Sequence, residues 1–291
     1  MAHIQNLFCS EEFDVEEVSK PVAPVPHYQT NICVKAIPDP VLTNDPRVVE
    51  VMLGQEETRK IDYLATMQPE LRPHMRRIVT DWMLEVCEDQ EAGTEVFLLA
   101  VHYLDTFLSS TTIRKSQFQL AAATCLLLAS KFSSVVPISA DQLVLYTDYS
   151  ITTEELVSWE LLLLQSLRWQ LSVVTSYALA SHILPLLHLP QSNTCNTLLL
   201  HAATSYSASS LPPSLIAAAA ILTAKADPSL LPRVAEITRH SEENIAKVAD
   251  FLSSLAGLDT HRDAEKNVEE ETSRPITPKE TQDVSAFLIS C

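Results

Sequence analysis

Between residues 75 and 86, the apolar side chains of Met75, Ile78, Val79, Trp82 and Val86 return at intervals of three and four, while Arg76, Thr80 and Asp81 point elsewhere. That spacing gathers the apolar group on one broad stripe of an α-helix and predicts an element packed along one side. The same period predicts helices near 74–90, 95–109, 115–132, 139–147 and 153–167. After Trp169 it predicts five more, near 173–188, 192–209, 213–226, 229–239 and 242–256. Direct identity between the two halves is weak, so any repeat is architectural. Asp45-Pro46 offers an N-cap followed by proline at the first helical position, which opens a further helix near Arg47–Thr66. Thr152 and Glu155 form a capping box for the helix at 153.

The flanks lose this pattern. Residues 1–44 are acidic near Glu11-Glu12 and punctuated by Pro21, Pro24, Pro26, Pro38 and Pro40, which predicts a flexible arm. Residues 259–291 turn polar, with Glu269-Glu270-Glu271 and Arg274-Pro275-Ile276-Thr277-Pro278, which predicts a disordered tail. The expected plan is an arm (1–44), an N-terminal helix and linker (45–72), a first bundle (73–170), a second bundle (171–258) and the tail (259–291).

Composition narrows the chemistry. A hydrophobic content of 46% over 291 residues is enough for a real core. Three scattered glycines, Gly54, Gly93 and Gly257, argue against hairpin-rich sheets and glycine-rich phosphate loops. The class is all-α. With 37 acidic against 20 basic residues, the net charge of −17 repels phosphate backbones, so no nucleic-acid partner is expected.

Cys9, Cys33, Cys87, Cys125, Cys195 and Cys291 are scattered without a Cys-x-x-Cys pair, and His74, His102, His182 and His201 lack a second ligand or base at useful spacing. No metal or cofactor is expected, and the thiols read as free in a reducing compartment. Met1-Ala2-His3-Ile4-Gln5-Asn6 lacks the basic start and apolar run of a secretory signal. No uninterrupted apolar run approaches membrane-spanning length. P-loop, nucleophile-elbow and paired-carboxylate motifs are absent, as is the Asp-Asp-x-x-Asp of helical isoprenoid synthases.

Several strings are more specific than their periodicity. Met75-Arg76-Arg77-Ile78-Val79-Thr80-Asp81-Trp82-Met83-Leu84-Glu85-Val86 resembles the first helix of the cyclin box, and Leu98-Leu99-Ala100-Val101-His102-Tyr103-Leu104-Asp105 resembles its second. Leu126-Leu127-Leu128-Ala129-Ser130-Lys131-Phe132, Tyr146-Thr147-Asp148 and Trp159-Glu160-Leu161 extend the likeness. Leu211-Pro212-Pro213-Ser214-Leu215-Ile216-Ala217 is similar to a segment of D-type cyclins, and Leu7-Phe8-Cys9-Ser10-Glu11 and Thr277-Pro278 point to the same subfamily. The resemblance covers roughly residues 45–256 and implies two tandem five-helix cyclin-box folds preceded by a helix.

It also implies a function: a non-catalytic subunit of nucleus and cytoplasm that activates a cyclin-dependent kinase of the 4/6 type. The complex would phosphorylate retinoblastoma-family proteins and promote passage from G1 into S phase. By the same resemblance, Lys131 and Glu160 grip the kinase at its regulatory helix. Met75, Ile78, Val79, Trp82, Glu85, Phe118 and Gln119 form a groove for Arg-x-Leu peptides of substrates and kinase inhibitors, its acidic rim beside an apolar trough suiting a cation followed by leucine. Val79 and Phe118 replace the leucines more usual there, and of the stripe Val86 and Ile78 are the positions expected in the core. Leu7, Cys9 and Glu11 satisfy the Leu-x-Cys-x-Glu motif for retinoblastoma-type pockets, and Thr277 is the expected phosphorylation site.

The chain departs from the pattern at Thr106, where an arginine is usual, and at Ser133 and Ser134, where acids are usual. A cell-cycle cyclin of A, B or E type and a cyclin-fold transcription factor are the alternatives. The Leu-x-Cys-x-Glu arm and Pro212-Pro213-Ser214 argue against the first, the acidic balance against the second.

Overall fold

The computed structural model describes residues 39–56 and 62–270. Among them lie thirteen α-helical segments and no strand. A single turn, α1 (Pro40–Thr43), precedes helix α2 (Pro46–Gln55) and a second turn, α3 (Tyr63–Thr66). A first bundle follows: α4 (Pro73–Asp89), α5 (Thr94–Ser110), α6 (Phe118–Ser133), α7 (Ala140–Tyr146) and α8 (Thr153–Ser166). The second comprises α9 (Ser176–Leu186), α10 (Asn193–Thr204), α11 (Pro213–Lys225), α12 (Leu231–Thr238) and α13 (Glu242–Glu270). None of the helices in the described region is long and apolar enough to cross a membrane.

Each bundle is built around one helix that is apolar on all sides because it is enclosed on all sides. In the first this is α6, buried at every residue from Phe118 to Ser130, with α4, α5 and α8 packed on it. In the second it is α11, whose Ala217-Ala218-Ala219-Ala220 run lets α9, α10 and α13 approach closely. The helix starts obey the capping signals. Asp45 accepts from the Arg47 amide at 2.9 Å with Pro46 at the first helical position. Thr152 and Glu155 satisfy each other's backbone amides at 2.9 and 3.2 Å.

Some boundaries differ from the sequence reading. The helix opened by Asp45 stops at Gln55 rather than Thr66, because Glu56 turns extended and its carboxylate accepts from the backbone N–H (3.2 Å) and hydroxyl (3.0 Å) of Ser214 at the start of α11. With the single Ser214 proton directed at Glu56, the 2.7 Å contact to His240 Nε2 makes the imidazole the donor. Asp62 then caps α3 through the Ala65 amide. Residues 40–43, expected within the irregular arm, form a turn capped by Asp39. Residues 259–270, expected in the tail, continue α13, since that stretch is free of proline and glycine and rich in strong helix formers. Val49 on α2 lies in the second core, and Glu50 pairs with Arg239 at 2.7 Å.

The bundles meet at Arg76. Read from the stripe alone, Arg76 points away from the core, yet it is 0% exposed, because it stands beside the stripe on a flank of α4 that packs against α5 and against α10 of the second bundle. Its Nε and Nη2 each donate to an Asp105 carboxylate oxygen at 2.8 Å, and its Nη1 and Nη2 donate to the carbonyls of Thr204 and Ala203 at 3.1 Å. The Tyr63 hydroxyl donates to Asp105 at 2.6 Å, and the Tyr206 ring lies 5.8 Å from the guanidinium carbon. Burial disfavours the Arg76 charge, but Asp105 outweighs that and holds the guanidinium above the usual arginine range. Burial, then Asp105, pushes the Tyr63 phenol upward as well.

A second acid sits at the same junction. Glu95 in the first turn of α5 accepts from the Thr175 hydroxyl at 2.6 Å, while Thr175 caps α9 through the Ala178 amide at 3.0 Å. Burial raises the Glu95 carboxyl above its ordinary value, and the Thr175 hydrogen bond only partly opposes it.

Two outcomes follow from this junction. Arg76→Ala strands a buried carboxylate and is expected to cost roughly 3–5 kcal/mol in urea unfolding, with Arg76→Lys failing to restore the bidentate geometry; a loss below about 1 kcal/mol would contradict the assignment. For Glu95, the folded state holds its proton more tightly than the unfolded state, so stability falls as pH rises from the ordinary carboxylate range through the raised value. Glu95→Gln keeps the acceptor and removes the ionisation, so its melting temperature should exceed that of the wild type by about 2–4 °C at neutral pH, with the gap closing toward acid. A gap that widens toward acid rejects the account.

Candidate functional site

Lys131 stands in the last turn of α6 and Glu160 in the middle of α8, two helices packed against each other. The Lys131 ammonium donates to both Glu160 oxygens at 2.8 Å. The pair lies at the surface, with side-chain exposures of 46% and 18%. The same elements carry apolar side chains facing solvent: Phe132, Val135 and Val136 at the α6 exit, Val157 and Leu161 on the side of α8 nearer Glu160, and Leu162 on its far side. Scattered exposed apolar residues are ordinary, but five on two adjoining elements on the side of an oriented ion pair form a face suited to a protein partner. The pair alone contributes little to folding, about 0–1 kcal/mol. Of the two serines that replace the usual acids, Ser134 turns back to donate to the Val136 carbonyl at 2.9 Å and Ser133 is exposed.

The α4 stripe is placed less openly than its sequence suggests. Met75, Val79, Trp82, Phe118 and Gln119 are buried, with Phe118 wholly enclosed, while Ile78 is half-buried and Glu85 exposed. Of the two positions expected in the core, Val86 is there and Ile78, at the edge of the stripe, is half-buried. Beyond Trp82 a cleft of about 380 Å³ opens between α4 and α7, lined by Trp82, Glu85, Val86, Glu88, Asp89 and Tyr146. The Trp82 indole N–H donates to the Tyr146 carbonyl at 3.3 Å, which fixes the aromatic wall. The arrangement can hold a cationic side chain whose methylenes lie on the rings while its head meets the acids.

Leu7, Cys9, Glu11 and Thr277 lie outside the described residues. Cys87, Cys125 and Cys195 are free and buried; burial pushes the Cys87 thiol up to about 12, the Cys195 thiol up to about 11 and the Cys125 thiol upward, which leaves them poor nucleophiles. Among the described residues, histidine, cysteine, aspartate and glutamate form no cluster that could hold a metal.

Sequence reasoning missed the Arg76–Asp105 joint and the part Tyr146 plays in the cleft. In each, the partners sit on different helices, and a one-helix period carries no record of them.

Residues 47–172 match the family model described as cyclin, N-terminal domain, and residues 174–287 that described as cyclin, C-terminal domain. The chain is 41% identical over 198 residues to the human (Homo sapiens) G1/S-specific cyclin-D1, covering 65% of this chain and 67% of that protein. It is 34% identical over 279 residues to the G1/S-specific cyclin-D2 of Xenopus laevis, covering 86% and 96%. Among solved structures it resembles a viral cyclin from herpesvirus saimiri, with a TM-score of 0.61 and 23% identity over 74% of this chain and 97% of that one. At that identity the structural likeness speaks for the fold.

Because the Lys131–Glu160 pair is exposed, Lys131→Ala should leave the melting temperature within about 4 °C of wild type. A larger fall would make the pair a structural strut and remove the reason to assign it to a partner.

Proposed function

This chain belongs to the cyclins, among their G1/S-specific D-type members, and we propose that it activates a cyclin-dependent kinase of the 4/6 type to drive phosphorylation of retinoblastoma-family proteins. It is a cell-cycle regulator, and its family comprises regulatory subunits rather than enzymes. The observation that carries the finer reading is the exposed Lys131–Glu160 pair with Phe132, Val135, Val136, Val157 and Leu161 on its side of the two elements.

The physical need is a shift in population. A protein kinase works only when its regulatory helix swings inward and the glutamate of that helix meets the lysine of strand β3 in the kinase. Taking that equilibrium from 1:99 to 99:1 requires about 5.5 kcal/mol of differential binding. Burial of roughly 220 Å² of apolar surface in the inward state alone supplies that much, well below the area of an ordinary interface. The five apolar side chains provide the affinity, while Lys131, oriented by Glu160, donates to backbone carbonyls of the kinase helix and fixes its register.

The remaining parts act on substrates and on abundance. The open part of the α4 groove, half-buried Ile78 and exposed Glu85 beside the acidic cleft, recruits Arg-x-Leu segments of substrates and inhibitors, with the buried Met75, Val79, Trp82, Phe118 and Gln119 packed beneath it. Leu7, Cys9 and Glu11 engage the retinoblastoma pocket, and phosphorylation of Thr277 governs passage between nucleus and cytoplasm.

The test is recovery of a 4/6-type kinase by immobilised chain, with phosphorylation of a retinoblastoma fragment read in parallel. Lys131→Glu places two carboxylates together and should lower both signals at least about tenfold, while Leu7→Ala lowers fragment phosphorylation with kinase recovery unchanged. Equal kinase recovery by wild type and Lys131→Glu rejects the assigned face.

A further inference from the structure

At the C-terminal end of α4, four side chains close on one another. The Tyr146 hydroxyl donates to Asp89 Oδ2 and accepts from the Gln90 amide at 2.7 Å, and the Gln142 amide donates to Gln90 Oε1 at 2.6 Å. The backbone carbonyl of the same Tyr146 holds the Trp82 indole at 3.3 Å. Tyr146 therefore touches the cleft twice, through its backbone to the aromatic wall and through its phenol to an acid of the rim. A carboxylate oxygen that already accepts a phenolic proton has less capacity left for an incoming ammonium or guanidinium.

Building on the docking role proposed above, we infer that Tyr146 is a positioning residue: its hydroxyl tethers Asp89 and weakens the preference of the cleft for a second basic residue upstream of the Arg-x-Leu core. The tether sets charge selectivity, and the carbonyl sets the wall against which the core lies. Tyr146→Phe separates the two, since ring and backbone stay while the hydroxyl goes and Asp89 is released toward the ligand.

The experiment is fluorescence anisotropy on the full chain with two labelled peptides, an Arg-x-Leu core and the same core with one additional upstream arginine. Tyr146→Phe should raise the preference for the doubly basic peptide about two- to five-fold, the range of an exposed ion pair, and leave the core peptide unchanged. Adding Asp89→Asn removes the released charge and should bring the ratio back to the wild-type value or below it, and salt near 0.5 M should erase the gain. A merely structural role would weaken both peptides together. If Tyr146→Phe shifts both peptides equally, or neither, the tether is wrong while core binding persists. If no form of the chain binds either peptide, the docking role falls and takes this inference with it.

Discussion

A guanidinium and a carboxylate sealed from water must satisfy each other, and the Arg76–Asp105 pair does so with help from both halves of the molecule. Arg76 comes from α4 and Asp105 from α5, and the carbonyls that complete the fork come from the end of α10. Few relative placements of the bundles serve all these partners at once, whereas apolar surfaces tolerate sliding. The pair thus fixes the angle between bundles as well as holding them together. Because α6 packs on both α4 and α5, the same constraint reaches Lys131 at the α6 terminus.

The surface reflects a division of labour between weak and strong terms. The Lys131–Glu160 pair is too solvated to contribute much energy, but it orients a donor. The apolar side chains around it supply energy with little direction. In the proposed complex each compensates for what the other lacks. The α4 cleft has a similar composition, with rings for contact area and acids for selection.

Periodicity made the helices legible, because each bundle buries stripes and leaves the opposite positions wet. Capping chemistry at Asp45 and at Thr152 with Glu155 located helix starts closely. The ion pair at Lys131 and Glu160 was legible only through family likeness, since two residues 29 apart leave no local trace. The same limit hid Arg76, whose position off the stripe reads as solvent-facing until a second bundle arrives to cover it. It also hid the end of α2, where the deciding partner, Ser214, lies far away in sequence. The burial of Val79 and Phe118 was obscured for another reason: a stripe pattern tells which side is apolar, not how much of that side a neighbour occupies.

Helix α2 is written early in the chain but seated late. Val49 belongs to the second core, and the Glu56–Ser214 contact joins residues 158 apart. A ribosome moving at roughly 5–20 residues per second would need about 8–30 s to deliver that partner. Helix α9, which packs on α2, emerges first, so the end of α2 at Glu56 is the part that waits longest. A slower ribosome lengthens the time for which one short segment near the amino terminus waits on a partner far downstream.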